Sequence, residues 1–286
     1  MLKLAGIIFT LFYLTGVYFP YALPAWLLTL VPISQWIAFT FFALLLARGA
    51  RRTSNPFLYF TRLLMAALAT EVLEYVAALR YGIYFGGRNA LFTYAAALAL
   101  IAGISMALGC YRDLVARAIP AGGQLDRKIL FGMPVNPGHY RMAPATGIIL
   151  GLGSAGLAVF VSLYFNFTQG LYGLLLILLI FMALGDESNS PASFLSSSVY
   201  GGGRELIRTF LYAAALTAAG LVLTLLIKPL RAALPLTSSA VVGAILLAAS
   251  LPDRPRPSYW ASRLLYAVLP AANALFLLLR AFLISP

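Results

Sequence analysis

Long apolar runs separated by short polar breaks fill most of the chain, at residues 4–22, 26–47, 57–79, 89–110, 143–165, 170–185, 206–227, 234–251 and 260–284. A helix crosses a bilayer in about 20 apolar residues, so the pattern predicts an all-α polytopic membrane bundle. It has about nine transmembrane helices in a single integral-membrane domain over residues 1–286. The sixth run is short, and reads as tilted, broken or longer than its apolar core. The first carries Lys3 and is followed by no small-x-small cleavage pattern. It reads as a retained helix rather than a signal peptide.

Composition agrees with the pattern. The chain is 62% hydrophobic and only 10% charged, with a mean hydropathy of +0.92. Soluble domains carry about 25% charged residues, so these side chains cannot cover a globular surface in water. The net charge of +12 does not point to nucleic acid, because the Lys and Arg residues cluster between apolar runs. There they orient helices and meet the anionic lipid of the bilayer. With nine crossings and a cytoplasmic N-terminus, the inner side holds 15 of these cations and the outer side 5. The excess predicts an N-in protein, placed in the bacterial cytoplasmic (inner) membrane. Two longer inner breaks, residues 111–142 and 186–205, are the expected cytoplasmic loops, and loops of this kind can contact a protein partner.

Several motifs lose force in context. Residues 151–156 match GxGxxG, but they sit inside an apolar run with Gly147 four positions earlier. A dinucleotide site needs a preceding strand, whereas small residues at that spacing let membrane helices approach closely. Asn166-Phe167-Thr168 matches a glycosylation sequon, but it lies in a tiny break against the bilayer and reads as an accidental match. The single cysteine, Cys110, excludes a disulfide framework and a Cys-rich metal centre, and no metal site is expected. His139 stands alone in a basic loop and reads as solvated.

The unusual stretch is 48–100. Its first apolar helix carries Arg62, Glu71 and Glu74, and charges inside hydrocarbon cost a few kcal/mol each. Such groups face a protein interior, a watery cavity or a partner charge. Glu71 lies about 20 Å into its helix at 1.5 Å per residue. Arg62, nine positions back, is half a turn out of phase with it. Glu71 must therefore meet another helix, at Asn89, Thr93 or Tyr13, or be protonated. Arg62, Glu71, Glu74, Asn89 and Thr93 form the expected polar cluster.

Several segments resemble the TraX family, membrane proteins named for an enzyme that N-acetylates conjugative pilin and related to multi-span membrane acyltransferases. The resemblance rests on the first helix, on Ile37-Ala38-Phe39, and on Leu44-Leu45-Leu46-Ala47-Arg48-Gly49. Further along it rests on Arg52-Thr53-x-Asn55, Tyr59, Arg62-Leu63-Leu64, Glu71 and Asn89-Ala90-Leu91-Phe92-Thr93. Gly170-Leu171-Tyr172-Gly173-Leu174-Leu175 and Leu265-Tyr266-x-x-x-Pro270 echo later family segments. It covers most of the chain and is most specific over residues 37–93.

The resemblance implies acyl transfer from acetyl-CoA, whose phosphates would pair with Arg48, Arg51 and Arg52, and Glu71 as the catalytic base. The chain departs from the family at each proton-handling position. Tyr13-Leu14 replaces Asp-His, Arg48 replaces an acidic residue, Arg52 replaces a His, and Leu269-Pro270-Ala271-Ala272 replaces Tyr-Pro-x-His. Arg cannot act as a base; Glu71, Glu74, Tyr13 and His139 remain. With no catalytic histidine, Glu71 reads as a clamp between the third and fourth helices in preference to a base. The expectation is thus an acyltransferase-type membrane protein that is catalytically weak or inactive. The alternatives are a non-catalytic membrane subunit that scaffolds or anchors a partner complex, and an active acetyl-CoA-dependent acyltransferase. A transporter or channel stays behind these, because the intramembrane charges are few and no broken-helix pair is visible.

Overall fold

The computed structural model describes residues 2–53, 55–118, 143–184, 203–226, 236–250 and 259–283. Among the described residues helices occupy most of each apolar run, pairing the interior backbone N–H and C=O groups within their own segment. In chain order these are α1 (Leu2–Tyr18), a four-residue α2 (Ala25–Leu28) leading into α3 (Val31–Arg52), α4 (Pro56–Tyr81) and α5 (Ala90–Ala118). They continue as α6 (Pro144–Tyr164), α7 (Gly170–Ala183), α8 (Gly203–Leu226), α9 (Ala240–Ser250) and α10 (Tyr259–Leu283). Among the described residues there is no strand, only one isolated bridge between Arg88 and Phe167.

Four stretches are long and apolar enough to cross a membrane: Ala25–Arg51, Ala90–Val115, Pro144–Tyr164 and Glu205–Leu223. At 26 residues α4 is also long enough, about 39 Å, but it carries Arg62, Glu71, Glu74 and Arg80. The outward faces are greasy. Ile149, Leu152, Leu157 and Phe160 on α6 and Ile207 and Leu211 on α8 are all exposed, as lipid contact requires and water does not favour.

Two boundaries differ from the expected loops. α5 continues through Ala118, so the break expected from residue 111 opens as helix. Hydropathy falls at Tyr111-Arg112-Asp113, yet no Gly or Pro interrupts the run before Pro120, and Arg, Leu and Ala are good helix formers. Likewise α8 starts at Gly203, within the expected 186–205 loop. The rest of both loops, 119–142 with His139 and 185–202, lies outside the described residues, as does the side chain of Arg52.

α3 is the central helix, packed against α1, α5, α7 and α9. Phe39, Phe41 and Leu44 on α3, Leu98 on α5 and Leu174 and Ile177 on α7 are fully buried. α5 and α6 approach closely at Gly103 and Gly151. A Cβ placed on Gly103 would lie 2.6 Å from the Gly151 carbonyl oxygen, and one on Gly151 would lie 2.5 Å from that of Gly103. The buried stripe of α6 is Gly147, Gly151, Ala155, Ala158 and Ser162, whereas Gly153 and Gly156 face open space. The GxGxxG spacing thus places only its first glycine at the helix contact.

Candidate functional site

α4 has clear ends. Asn55 caps it, its side-chain oxygen accepting the Leu58 N–H at 2.9 Å, and Pro56 fills the first turn, where no N–H is needed. Gly82, at φ 64, terminates it in the left-handed conformation that glycine tolerates. Glu71 lies ten residues before Tyr81, about 15 Å below that end, yet it meets Asn89. The non-helical segment 82–89 must therefore run back down along α4.

That returning segment is held by the connection between α6 and α7. Arg88 N–H donates to the Asn166 carbonyl at 3.3 Å, and Thr168 N–H donates to the Arg88 carbonyl at 3.0 Å. The Thr168 hydroxyl donates to the same carbonyl. Phe167 is buried between them and stacks on Phe92 with ring centroids 5.6 Å apart. The sequon residues are thus part of a joint between two connections.

Glu71 closes this joint from α4. One carboxylate oxygen pairs with Arg88. The other accepts from Asn89 Nδ2 at 3.1 Å and, more weakly, from the Asn89 backbone N–H at 3.4 Å. Asn89 Nδ2 also donates to the Ala67 carbonyl at 3.0 Å, and Asn89 Oδ1 accepts the Leu91 N–H at 3.2 Å, capping α5. Thr93, buried one turn later, donates to Gln169 Oε1 at 3.4 Å. The five-residue polar cluster therefore divides. Glu71 and Asn89 come together, Thr93 turns to Gln169, and Arg62 and Glu74 face elsewhere.

Where they face is a cleft of about 510 Å³ among α1, α3, α4, α5 and α10. Thr53, Asn55 and Arg62 border one end, where α3 leads into α4. Glu74, Phe85, Gly87 and Thr168 border the other, and Phe39, Phe42, Leu45 and Leu63 form much of the wall between. Tyr13 and Leu14, which stand where the resemblance places Asp-His, also line it. Glu74 lies within electrostatic reach of the Tyr13 and Tyr18 hydroxyls. Below Tyr13, Tyr18 ties α1 to α10: its hydroxyl donates to Asn273 Oδ1 at 3.1 Å, and Arg280 donates to its carbonyl while lying 5.4 Å from the Tyr81 ring centroid.

The arginines assigned to a cofactor are placed differently. Arg51 donates from both Nε, at 3.0 Å, and Nη2 to the Phe181 carbonyl, and its guanidinium lies 4.6 Å from the Phe181 ring centroid. It closes the last turn of α7, where exposed carbonyls attract a cation. Arg48 is half-buried on α3, and neither Arg48 nor Arg51 lines the cleft.

Sequence reasoning missed Arg88, Gln169 and Gln35, the last of which also lines the cleft. Arg88 carried a usable signal, as the one cation in the 82–89 connection and adjacent to Asn89. Gln169 carried none, since its partner is 76 residues away. No family model, curated protein or solved structure matches this chain.

Proposed function

We propose that this chain is an integral membrane protein of the acyltransferase type, similar in pattern to the TraX family and weak or inactive as a catalyst. It would cross the bacterial inner membrane about nine times with its N-terminus in the cytoplasm. The observation that carries this reading is the position of Glu71. The carboxylate that the resemblance offers as a base is spent on Arg88 and Asn89, as a joint between α4 and α5. A base must reach the proton it removes, and a carboxylate fixed by three donors outside the cleft lining is poorly placed to do so. Arg51, offered as a phosphate ligand, is likewise engaged with α7.

The test is purified protein supplied with acetyl-CoA and a panel of amine and hydroxyl acceptors. The expected result is transfer at background rate and a lower melting temperature for Glu71→Gln. Multiple turnovers in the wild type, abolished in a Glu71→Gln protein of unchanged melting temperature, would overturn the proposal. A second reading, an active acetyl-CoA-dependent acyltransferase, draws support from Glu74 and Tyr13, which share the cleft. It requires turnover that Glu74→Gln removes. A third, a non-catalytic subunit that scaffolds a partner complex, is favoured if the protein co-purifies with other chains and binds no coenzyme A.

A further inference from the structure

The cleft is charged unlike at its two ends. Arg62 and Glu74 both line it and are twelve residues apart on α4, a rise of about 18 Å, and the further charged lining residue, Lys3, lies ten residues before Tyr13 on α1. Arg62 and Glu74 cannot neutralise one another at that separation. The neighbouring Glu71 is satisfied by Arg88 and Asn89, but Glu74 makes no hydrogen bond or ion pair to any described residue. Around it the lining is aromatic and apolar, with Tyr13 and Leu14 from α1, Phe85 from the returning segment, and Val268 and Leu269 from α10. A carboxylate held among apolar side chains with no counter-charge among the described residues is costly. The non-helical connections 82–89 and 165–169 border the same end through Phe85, Gly87 and Thr168. Irregular backbone at membrane depth is tolerated where it is buried in protein or lines a cavity.

We propose that the Glu74 end of the cleft is a binding site for a hydrophobic organic cation. An ammonium head group sits against the Glu74 carboxylate and the Tyr13 and Phe85 rings, and its apolar body lies along Leu14 and Leu269. The carboxylate supplies the counter-charge, and the ring faces add cation–π attraction. The same carboxylate turns anions away. A metal ion such as Ca²⁺ needs six or more oxygen ligands, which this lining does not provide. Arg62 at the far end repels a second cation, so the head group has one seat. The cleft volume of about 510 Å³ falls within the range of about 300–1,000 Å³ typical of small-molecule sites. Binding here is independent of acyl transfer, and either proposal can fail without the other.

The experiment uses the full chain in non-ionic detergent and octyltrimethylammonium as the probe. Wild-type protein is treated with dicyclohexylcarbodiimide, which modifies carboxyl groups in apolar surroundings, and labelling at Glu74 is read by peptide mass spectrometry. Octyltrimethylammonium should protect Glu74 saturably, while octanol and octyl sulfate should not. A saturable rise in melting temperature with the same probe should need a concentration more than about tenfold higher in Glu74→Gln, since loss of a buried charge partner weakens binding by at least that factor, and Glu74→Asp should retain part of it. Because protection is read on the wild type, poor folding of a variant does not blunt the test. Adding phosphatidylcholine to the micelles separates the two sources of the head group: protection by the lipid assigns the site to a bilayer component, and protection by the free cation alone assigns it to a diffusible ligand. Equal protection by octanol or octyl sulfate, protection by Na⁺ or Ca²⁺ alone, or an unchanged response in folded Glu74→Gln would overturn the assignment.

Discussion

Replacing Glu71 by alanine separates a joint from a catalytic group. The pair with Arg88 and two contacts from Asn89, the weaker from its backbone N–H at 3.4 Å, vanish, and they differ in worth. The Arg88 side chain is 50% exposed and that of Glu71 22%, so the ion pair is screened and contributes less than about 1 kcal/mol. Asn89 is 5% exposed, and its amide bond to Glu71 is the stronger element. Polar couplings between membrane helices average about 0.6 kcal/mol and reach about 1.7 kcal/mol. Asn89 Nδ2 keeps the Ala67 carbonyl at 3.0 Å, so it is not orphaned and the full penalty of a buried unpaired donor does not apply. The expected loss for Glu71→Ala is therefore about 1–2.5 kcal/mol by these terms. Glu71→Gln, which keeps an acceptor for Asn89, should lose less, about 0.5–1 kcal/mol. Reversible unfolding in mixed micelles measures both. A double-mutant cycle of Glu71→Ala with Asn89→Ala should give a coupling of about 0.6–1.7 kcal/mol, and a cycle of Glu71→Gln with Arg88→Gln less than about 1 kcal/mol. Wild-type stability in Glu71→Ala, or zero coupling to Asn89, would refute the argument that this carboxylate fastens α4 to α5.

Three further perturbations test the frame around the site. Gly151→Ala should destabilise by about 1–3 kcal/mol through overpacking, because its Cβ would meet Gly103 O at 2.5 Å; Gly153→Ala, facing open space, should leave the unfolding midpoint unchanged or raise it. Arg51→Ala should cost about 1–2 kcal/mol by loss of charge-assisted hydrogen bonds to the Phe181 carbonyl, and Arg51→Lys should recover only part of that, since an ammonium cannot present two fixed donors while stacking on the Phe181 ring. Thr168→Val should loosen the link to the Arg88 carbonyl, seen as faster amide exchange at Arg88 and Thr168 with little change at α6.

The helices were legible because hydropathy and helix demand the same thing of a chain in lipid, so most apolar runs coincide with a helix to within a few residues. Where the two demands part, the reading slipped. Residues 111–118 are polar enough to look like a loop, yet they contain nothing that breaks a helix. Gly147-x-x-x-Gly151 was readable as a packing stripe because spacing along one helix fixes a shared face. Arg88 was marked only as the one cation of its connection, beside Asn89, because helical phase says nothing about a connection that folds back about 15 Å along the helix it has left. The Thr93–Gln169 contact was out of reach for a similar reason, since it joins α5 to the connection before α7, 76 residues further along the chain.

The cleft itself was the least legible feature, and it changes how the two acidic residues of α4 compare. From sequence Glu71 and Glu74 are near equivalents, three positions apart and on adjoining faces of one helix. A resemblance can favour Glu71 by position, but only three dimensions say which carboxylate has been consumed. The returning segment supplies Arg88 and Asn89 to Glu71 and leaves Glu74 opposite α1 and α10, whose lining residues there are Tyr13, Leu14, Val268 and Leu269. No described donor reaches Glu74. A helix that needed only a joint would have no use for a second carboxylate, without a described partner, one turn further along, where each intramembrane charge is costly to keep. Substituting the two separately makes the distinction measurable. Glu71→Gln should lower stability and leave the response to octyltrimethylammonium in place, whereas Glu74→Gln should leave stability unchanged or raise it, by removing a charge with no described partner, and shift that response to concentrations more than about tenfold higher. If both variants lose stability alike and neither alters binding, the two carboxylates share one structural role and the division drawn between them is wrong.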